Sequence, residues 1–284
     1  MNDGAGESSV RLAEQLTRFE DATARRHVRL GNLDWSYRVG GAHEGEAVVF
    51  LPGGAGSARA WFDQARRLLS RYRVVLIDLP ISASANELAD GISSVLKAEA
   101  LSPVHLVGTS LGGMLGELSS RATPDAIRSL FLASTGLYGP EDAPTLRRGL
   151  RFTKLLPGVL LRAGARARLR GLLADSPAPQ FWLELVTEPY AGRAVRARLA
   201  NQQRLLLGLV EHVDELMALS SWSGLLTVLR AADDNLMTPK MTGRLVAAHH
   251  ECQLVHEPTG GHLLAQTRPD AFAAALSQHL ERAP

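Results

Sequence analysis

The sequence predicts an α/β fold: a mostly parallel central sheet of about eight strands, with helices on both faces. Three observations predict it. Short apolar runs such as Val48-Val49-Phe50-Leu51 and Val104-His105-Leu106-Val107 alternate with segments of helical periodicity, at the spacing of crossover units. Several of these runs are apolar throughout rather than at every second residue, the pattern of strands covered on both sides. The chain has 284 residues, 45% hydrophobic and 21% charged, which suffices for a substantial core and matches ordinary globular composition.

Taken in order, Val10, Leu12, Leu16 and Phe19 predict an N-terminal helix over residues 8 to 24. His27 to Leu30 and Leu33 to Val39, joined through Gly31-Asn32, read as an antiparallel hairpin. Central strands are expected at Ala47 to Leu51, Arg73 to Ile77, Val104 to Val107, Ser129 to Ala133, Leu225 to Leu229 and Cys252 to His256. Helices are expected near Ala58 to Leu69, Asn86 to Ala98, Gly112 to Ala122, Met241 to Ala248 and Asp270 to Leu280. No internal repeat is visible. Between Gly139 and Ser223 the alternation stops, leaving helical pattern interrupted by Pro157, Gly164, Pro177, Pro179 and Pro189. A structureless loop of that length is improbable, so the segment is expected to form a helical cap inserted after the sixth strand. One domain would then comprise core residues 1–138, cap 139–223 and core 224–284.

Composition excludes several function classes. A formal charge of +2 is too small to make nucleic acid the expected partner. The single cysteine, Cys252, allows no intramolecular disulfide and no thiolate zinc cluster, so a reducing cytoplasm is the expected compartment. Met1-Asn2-Asp3-Gly4-Ala5-Gly6-Glu7 carries acids where a signal peptide would carry basic and then apolar residues. No apolar run is long enough to span a bilayer.

The chemistry concentrates at Gly108-Thr109-Ser110-Leu111-Gly112, between an apolar strand and a helix start rich in small residues. This is the sequence form of a nucleophile elbow, in which a serine turns sharply between strand and helix and small residues must stand two before and two after it. The serine then sits at a helix N-terminus, where N–H groups and the helix dipole favour negative charge. Such a serine needs a base to take its proton and an acid to orient that base. The strand Leu225 to Leu229 leads through Arg230-Ala231-Ala232 to two carboxylates, Asp233 and Asp234. After the last strand comes Thr259-Gly260-Gly261-His262, a histidine following a glycine pair. Serine, acid and histidine thus follow in the order of one known triad arrangement.

These three motifs resemble those of the α/β-hydrolase superfamily over nearly the whole chain. Within it, Val48-Val49-Phe50-Leu51-Pro52-Gly53-Gly54, Tyr72-Arg73-Val74-Val75, Val104 to Gly113 and Thr259-Gly260-Gly261 are most similar to the maspardin-like branch. The resemblance implies an α/β-hydrolase fold with Ser110 as nucleophile, His262 as base and Asp234 as acid, counted from Ala231; Asp233 stands as the alternate acid or a turn-capping side chain. It also implies backbone N–H groups of Gly54 and Leu111 as the oxyanion hole. Pro52 stands where the commoner pattern has histidine, which leaves the anchoring of this loop open.

Gly54-Ala55-Gly56-Ser57-Ala58-Arg59, with Asp78 ending the next strand, partly imitates a dinucleotide fingerprint, but Arg59 replaces the third glycine. Asp78 is read as a turn cap, His105 as a satisfied core histidine, and His249, His250 and Cys252 as lacking a fourth zinc ligand. Phe181, Trp182, Tyr190 and Trp222 are divided between cap core and acyl-pocket lining.

The cap is basic at its start: Arg147, Arg148, Arg151, Lys154, Arg162, Arg166, Arg168 and Arg170 occur with no acid between Asp142 and Asp175. This is either a solvated face or a lid that attracts an anionic substrate, a carrier protein or an anionic membrane surface. The expected activity is hydrolysis of a carboxylic ester or thioester through an acyl-enzyme on Ser110, with no cofactor and no metal. The expected partner is a small acyl substrate, anionic or carrier-linked among the options, for a monomer or homodimer. The alternatives are lyase, cyclase or acyltransferase chemistry in the same pocket, or a maspardin-like interaction module.

Overall fold

The structure, a computed structural model, describes residues 3–81 and 84–283. Its strands are β1 (Thr23–Leu30), β2 (Leu33–Gly41), β3 (Ala47–Leu51), β4 (Arg73–Ile77), β5 (Val104–Thr109), β6 (Ile127–Ala133), β7 (Leu225–Ala231) and β8 (Gln253–Glu257). They form one eight-stranded sheet in the order β1-β2-β4-β3-β5-β6-β7-β8. The β1–β2 and β2–β4 pairings are antiparallel, and all pairings from β4 to β8 are parallel. The fold class read from the sequence is the one observed.

The helices are α1 (Asp3–Asp21), α2 (Phe62–Arg66), α3 (Ala85–Ala98), α4 (Leu111–Ala122), α5 (Ala143–Leu155), α6 (Gly158–Leu172), α7 (Pro179–Thr187), α8 (Ala194–Glu211), α9 (Val213–Met217), α10 (Pro239–Ala247), α11 (Leu264–Thr267) and α12 (Pro269–Arg282). None is long and apolar enough to cross a membrane among the described residues. Successive strand residues point to opposite faces. Val49 and Leu51 therefore join Leu88, Ile92, Met114, Leu115 and Leu245 on one side, while Val48 and Phe50 join Phe19, Trp61, Phe62, Phe272 and Leu276 on the other. Both faces are thus covered, as the continuous apolar strands require.

Three of the boundaries that differ from the sequence pattern have a local reason. The first helix stops at Asp21 because the Thr23 hydroxyl donates to the Phe19 carbonyl at 2.8 Å and Ala22 N–H to Arg18 at 3.0 Å, closing the last turn. Strand β1 then begins at Thr23; Ala24 to His27 are exposed, so no apolar pattern marks them. The helix expected from Ala58 to Leu69 divides into a 3₁₀ turn, Ala58–Trp61, and the short α2. There the Trp61 indole N–H donates to the Leu51 carbonyl at 3.1 Å, tying this segment to the end of β3.

Between β6 and β7 the chain runs through α5 to α9, an insertion without strands. Pro157 separates α5 from α6, Pro179 opens α7, and Pro189 lies in the 3₁₀ turn Glu188–Tyr190. Gly164 interrupts nothing and lies inside α6. The insertion stands over the C-terminal ends of the parallel strands, the edge at which open α/β sheets hold ligands.

Candidate active site

The strand–helix turn at the end of β5 has the strained backbone that its sequence predicts. Ser110 has φ 52° and ψ −121°, a region a side chain rarely adopts. Surrounding hydrogen bonds over-determine it: Ser110 N–H donates to the Ala133 carbonyl at 3.1 Å, and the Thr135 hydroxyl donates to the Ser110 carbonyl at 2.8 Å. The flanking glycines are needed for space. A Cβ at Gly108 would stand 2.5 Å from the Gly112 carbonyl oxygen, and one at Gly112 would stand 2.4 Å from that of Leu51.

The turn after β7 separates the two aspartates. Asp234, buried, faces His262, whose Nδ1 lies 3.0 Å from Oδ2 and 3.2 Å from Oδ1. Its Oδ1 also accepts the N–H groups of Leu236 at 2.8 Å and Met237 at 3.1 Å. Burial pushes this carboxyl up, but the hydrogen bond and charge of His262 and the two backbone N–H groups outweigh burial and hold it below the ordinary aspartate range. Asp233 instead accepts from the N–H groups of Gly260 and Gly261, at 3.2 and 2.8 Å. Both glycines have positive φ, 132° and 60°, so the histidine loop turns sharply onto Asp233. One carboxylate thus meets the imidazole and its neighbour holds the loop that carries it.

The loop after β3 lies against the elbow. A Cβ at Gly53 would stand 3.5 Å from the Ser110 Cβ. The loop keeps its shape without a histidine at position 52: Gly56 N–H donates to Gly53 at 2.9 Å, Leu79 N–H to Gly56 at 2.8 Å, and Ala58 N–H to the Asp78 carboxylate at 2.8 Å. Asp78 therefore caps this loop. Gly54 lies under Gln202 of α8, and Leu111 is the first residue of α4 with its side chain in the core.

Ser110, Gly53, Gly54 and His262 line one cavity of about 450 Å³ between the sheet and the insertion. Its walls are mainly apolar, from Trp61, Leu156, Leu160, Leu169, Leu172, Leu185 and Phe272 among others. Arg168 is the basic side chain on the lining, and Gln202, Gln203 and Tyr190 add polar groups. Among the described residues no hydrogen bond joins the Ser110 hydroxyl to His262, although both face this space; in unliganded sites such contacts are often long. Burial raises the Tyr190 phenol.

Of the aromatics in the insertion, Tyr190 lines the cavity, whereas Phe181 and Trp182 pack against Phe62, with ring centroids 5.9 and 5.4 Å apart. Trp222 is buried away from it and donates to the Ile127 carbonyl at 2.8 Å. His249 Nε2 meets the buried Glu117 at 2.7 Å, and His105 Nδ1 meets Ser129 at 2.8 Å. Among the described residues no cluster of three or more His, Cys, Asp or Glu could hold a metal ion. Sequence reasoning missed Thr135, Gln202 and Gln203. The glutamine pair inside an otherwise Leu- and Arg-rich helix was the available signal.

Residues 48–275 match the model of the alpha/beta hydrolase family. The chain is 25% identical over 263 residues to a protein assigned as a carbamate hydrolase in Azorhizobium caulinodans, covering 87% of this chain and 94% of that one. It is 27% identical over 251 residues to the pimeloyl-[acyl-carrier protein] methyl ester esterase of Chromobacterium violaceum, covering 84% and 95%. Likeness to maspardin of Danio rerio, 35% identity, spans 91 residues, or 31% of this chain and 29% of that one. An enol-lactonase structure from Burkholderia xenovorans superposes with a TM-score of 0.76 at 15% identity over 90% of this chain and all of that one.

Proposed function

This chain belongs to the alpha/beta hydrolase family, and we propose that it is a serine hydrolase that cleaves a carboxylic ester or thioester through an acyl-enzyme on Ser110. The observation that carries the reading is His262, paired behind with the buried Asp234, on the same cavity as the strained Ser110. His262 takes the hydroxyl proton as Ser110 Oγ attacks the carbonyl carbon, and then gives that proton to the leaving oxygen or sulfur. Water, deprotonated by the same ring, releases the acid. Asp234, accepting the Nδ1 proton, keeps Nε2 free as base and stabilises the imidazolium. The N–H groups of Gly54 and Leu111 receive the oxyanion, each donor contributing about 3 kcal/mol of transition-state stabilisation.

The leucine-rich walls support an acyl chain as the buried part of the substrate. A small polar carbamate would leave that apolar space unfilled. Arg168 supports a substrate whose far end carries a carboxylate or phosphate, as in a diacid monoester. The carbamate hydrolase and acyl-carrier methyl ester esterase relatives favour hydrolysis over lyase, cyclase or acyltransferase chemistry. Likeness to maspardin over under a third of the chain gives the interaction-module reading less support. Esters and thioesters of graded acyl length test the proposal: turnover should rise with chain length until the cavity is full and be lost in Ser110→Ala. Flat turnover across the series, or full turnover by Ser110→Ala, would refute it.

A further inference from the structure

The hairpin made by α5 and α6 exposes apolar side chains where a folded chain ordinarily hides them. Phe152, Leu155, Val159 and Leu160 are 62%, 79%, 61% and 54% exposed, and Leu156 between them is also exposed. Half of the large hydrophobics with comparable exposure among the described residues fall in this short stretch around Pro157. Helical spacing places Arg148 beside Phe152 and Arg151 beside Leu155 on α5, and Arg162 beside Val159 on α6, while the exposed Lys154 lies in the same last turn of α5. All eight cations from Arg147 to Arg170 lack a carboxylate partner among the described residues, whereas Arg26, Arg59, Arg67, Arg73, Arg121 and Arg244 elsewhere are ion-paired.

Arg162 also donates to the Gly192 carbonyl at 2.6 Å and Arg166 to the Thr187 hydroxyl at 3.3 Å, but the turn between the two helices is held by another side chain. Arg196, from α8, donates to the carbonyls of Thr153 at 3.0 Å and Leu156 at 2.7 Å and also reaches that of Lys154. The C-terminus of α5 is thus capped from inside the insertion. The same turn borders the Ser110 cavity, since Leu156 and Leu160 lie on its lining.

We propose that the α5–α6 tip docks on an anionic phospholipid surface, with Phe152, Leu155 and Val159 entering the headgroup boundary and Arg148, Arg151, Lys154 and Arg162 meeting the lipid phosphates. An apolar centre ringed by unpaired cations is the surface that lies in such an interface. A second copy of the chain fits it poorly. A two-fold contact would set the same cationic ring against itself. An acidic protein would satisfy the cations but would not need four bare hydrocarbon side chains at the turn. The inference concerns where the protein sits and is independent of the reaction at Ser110.

Co-sedimentation with vesicles tests it. The full chain should bind phosphatidylcholine vesicles that contain phosphatidylglycerol and not vesicles of phosphatidylcholine alone, and the binding should weaken as salt rises. Neutralising Arg148, Arg151 and Lys154 to Gln should weaken partition about fivefold per charge. Phe152→Ser with Leu155→Ser should weaken it at least tenfold with all charges kept. These five exposed positions lie off the cavity lining, and far-UV circular dichroism with a thermal melt monitors folding. Absence of binding, or equal binding to both vesicles, would overturn the proposal. Loss with the charge variant but none with the serine variant would leave electrostatic adsorption with no apolar side chain entering the boundary, and a dimer that the serine variant dissolves would assign the face to a second copy; either result overturns it.

Discussion

His262 Nδ1 lies 3.0 Å from Asp234 Oδ2, while Asp233, one residue earlier, holds the N–H groups of Gly260 and Gly261. Adjacent carboxylates therefore do different work. Asp234→Asn should leave the fold intact and lower kcat on an ester about 10⁴-fold, because the amide favours the wrong imidazole tautomer. Asp233→Asn should cost less than about tenfold in kcat and mainly lower the melting temperature by loosening the loop. Steady-state kinetics and thermal melts of the two variants check this; equal losses in both would contradict the division.

The elbow glycines are set by backbone approach. A Cβ at Gly112 would meet the carbonyl oxygens of Leu51 and Pro52 at 2.4 and 2.5 Å, neither of which can swing aside. Gly112→Ala should destabilise the protein by about 1–3 kcal/mol in urea unfolding. Gly164→Ala, with nothing within 4 Å of the added carbon inside α6, should be neutral or stabilising.

Arg168 is placed on the cavity, whereas Arg166 donates to the Thr187 hydroxyl at 3.3 Å. Arg168→Gln should raise KM for an ester with a distal carboxylate several-fold and leave a neutral ester of equal length unchanged. Arg166→Gln should distinguish the two substrates little. Michaelis–Menten curves for both esters decide the matter.

Below the sheet, His279 donates or accepts across Thr227 and Ser129 at 2.8 Å each, and burial pulls its pKa from 6.5 down to about 3. The unfolded chain therefore binds a proton that the folded chain refuses. The sign is that stability falls as pH drops below about 6.5 and continues falling toward about 3. His279→Gln should flatten the part of this loss above the carboxylate range, between roughly pH 6.5 and 5. Urea midpoints across that window measure it.

Much of the architecture was legible because the parallel strands are buried on both faces: Val48 to Leu51 and Val104 to Val107 need no partner information to be read as strands. The elbow and the histidine loop were legible because strain and close approach demand glycine at fixed places, and the acid turn because two carboxylates follow an apolar strand. Strand β1 was not, since Ala24 to His27 are exposed and carry no apolar alternation. The choice between Asp233 and Asp234 became geometric only once the loop of Gly260 and Gly261 was in place. Thr135, Gln202 and Gln203 could not be found by spacing, because they reach the site across the sheet edge and from the insertion rather than from the motif-bearing turns.

Ser110 is proposed as a nucleophile activated by His262. The most direct test of that role is reaction of the folded protein with a fluorophosphonate, followed by mapping of the modified peptide. A single adduct on Ser110, absent in Ser110→Ala and strongly slowed in His262→Ala, is the predicted result. A folded protein that stays unmodified, or a Ser110→Ala variant modified as fast as the wild type, would contradict it.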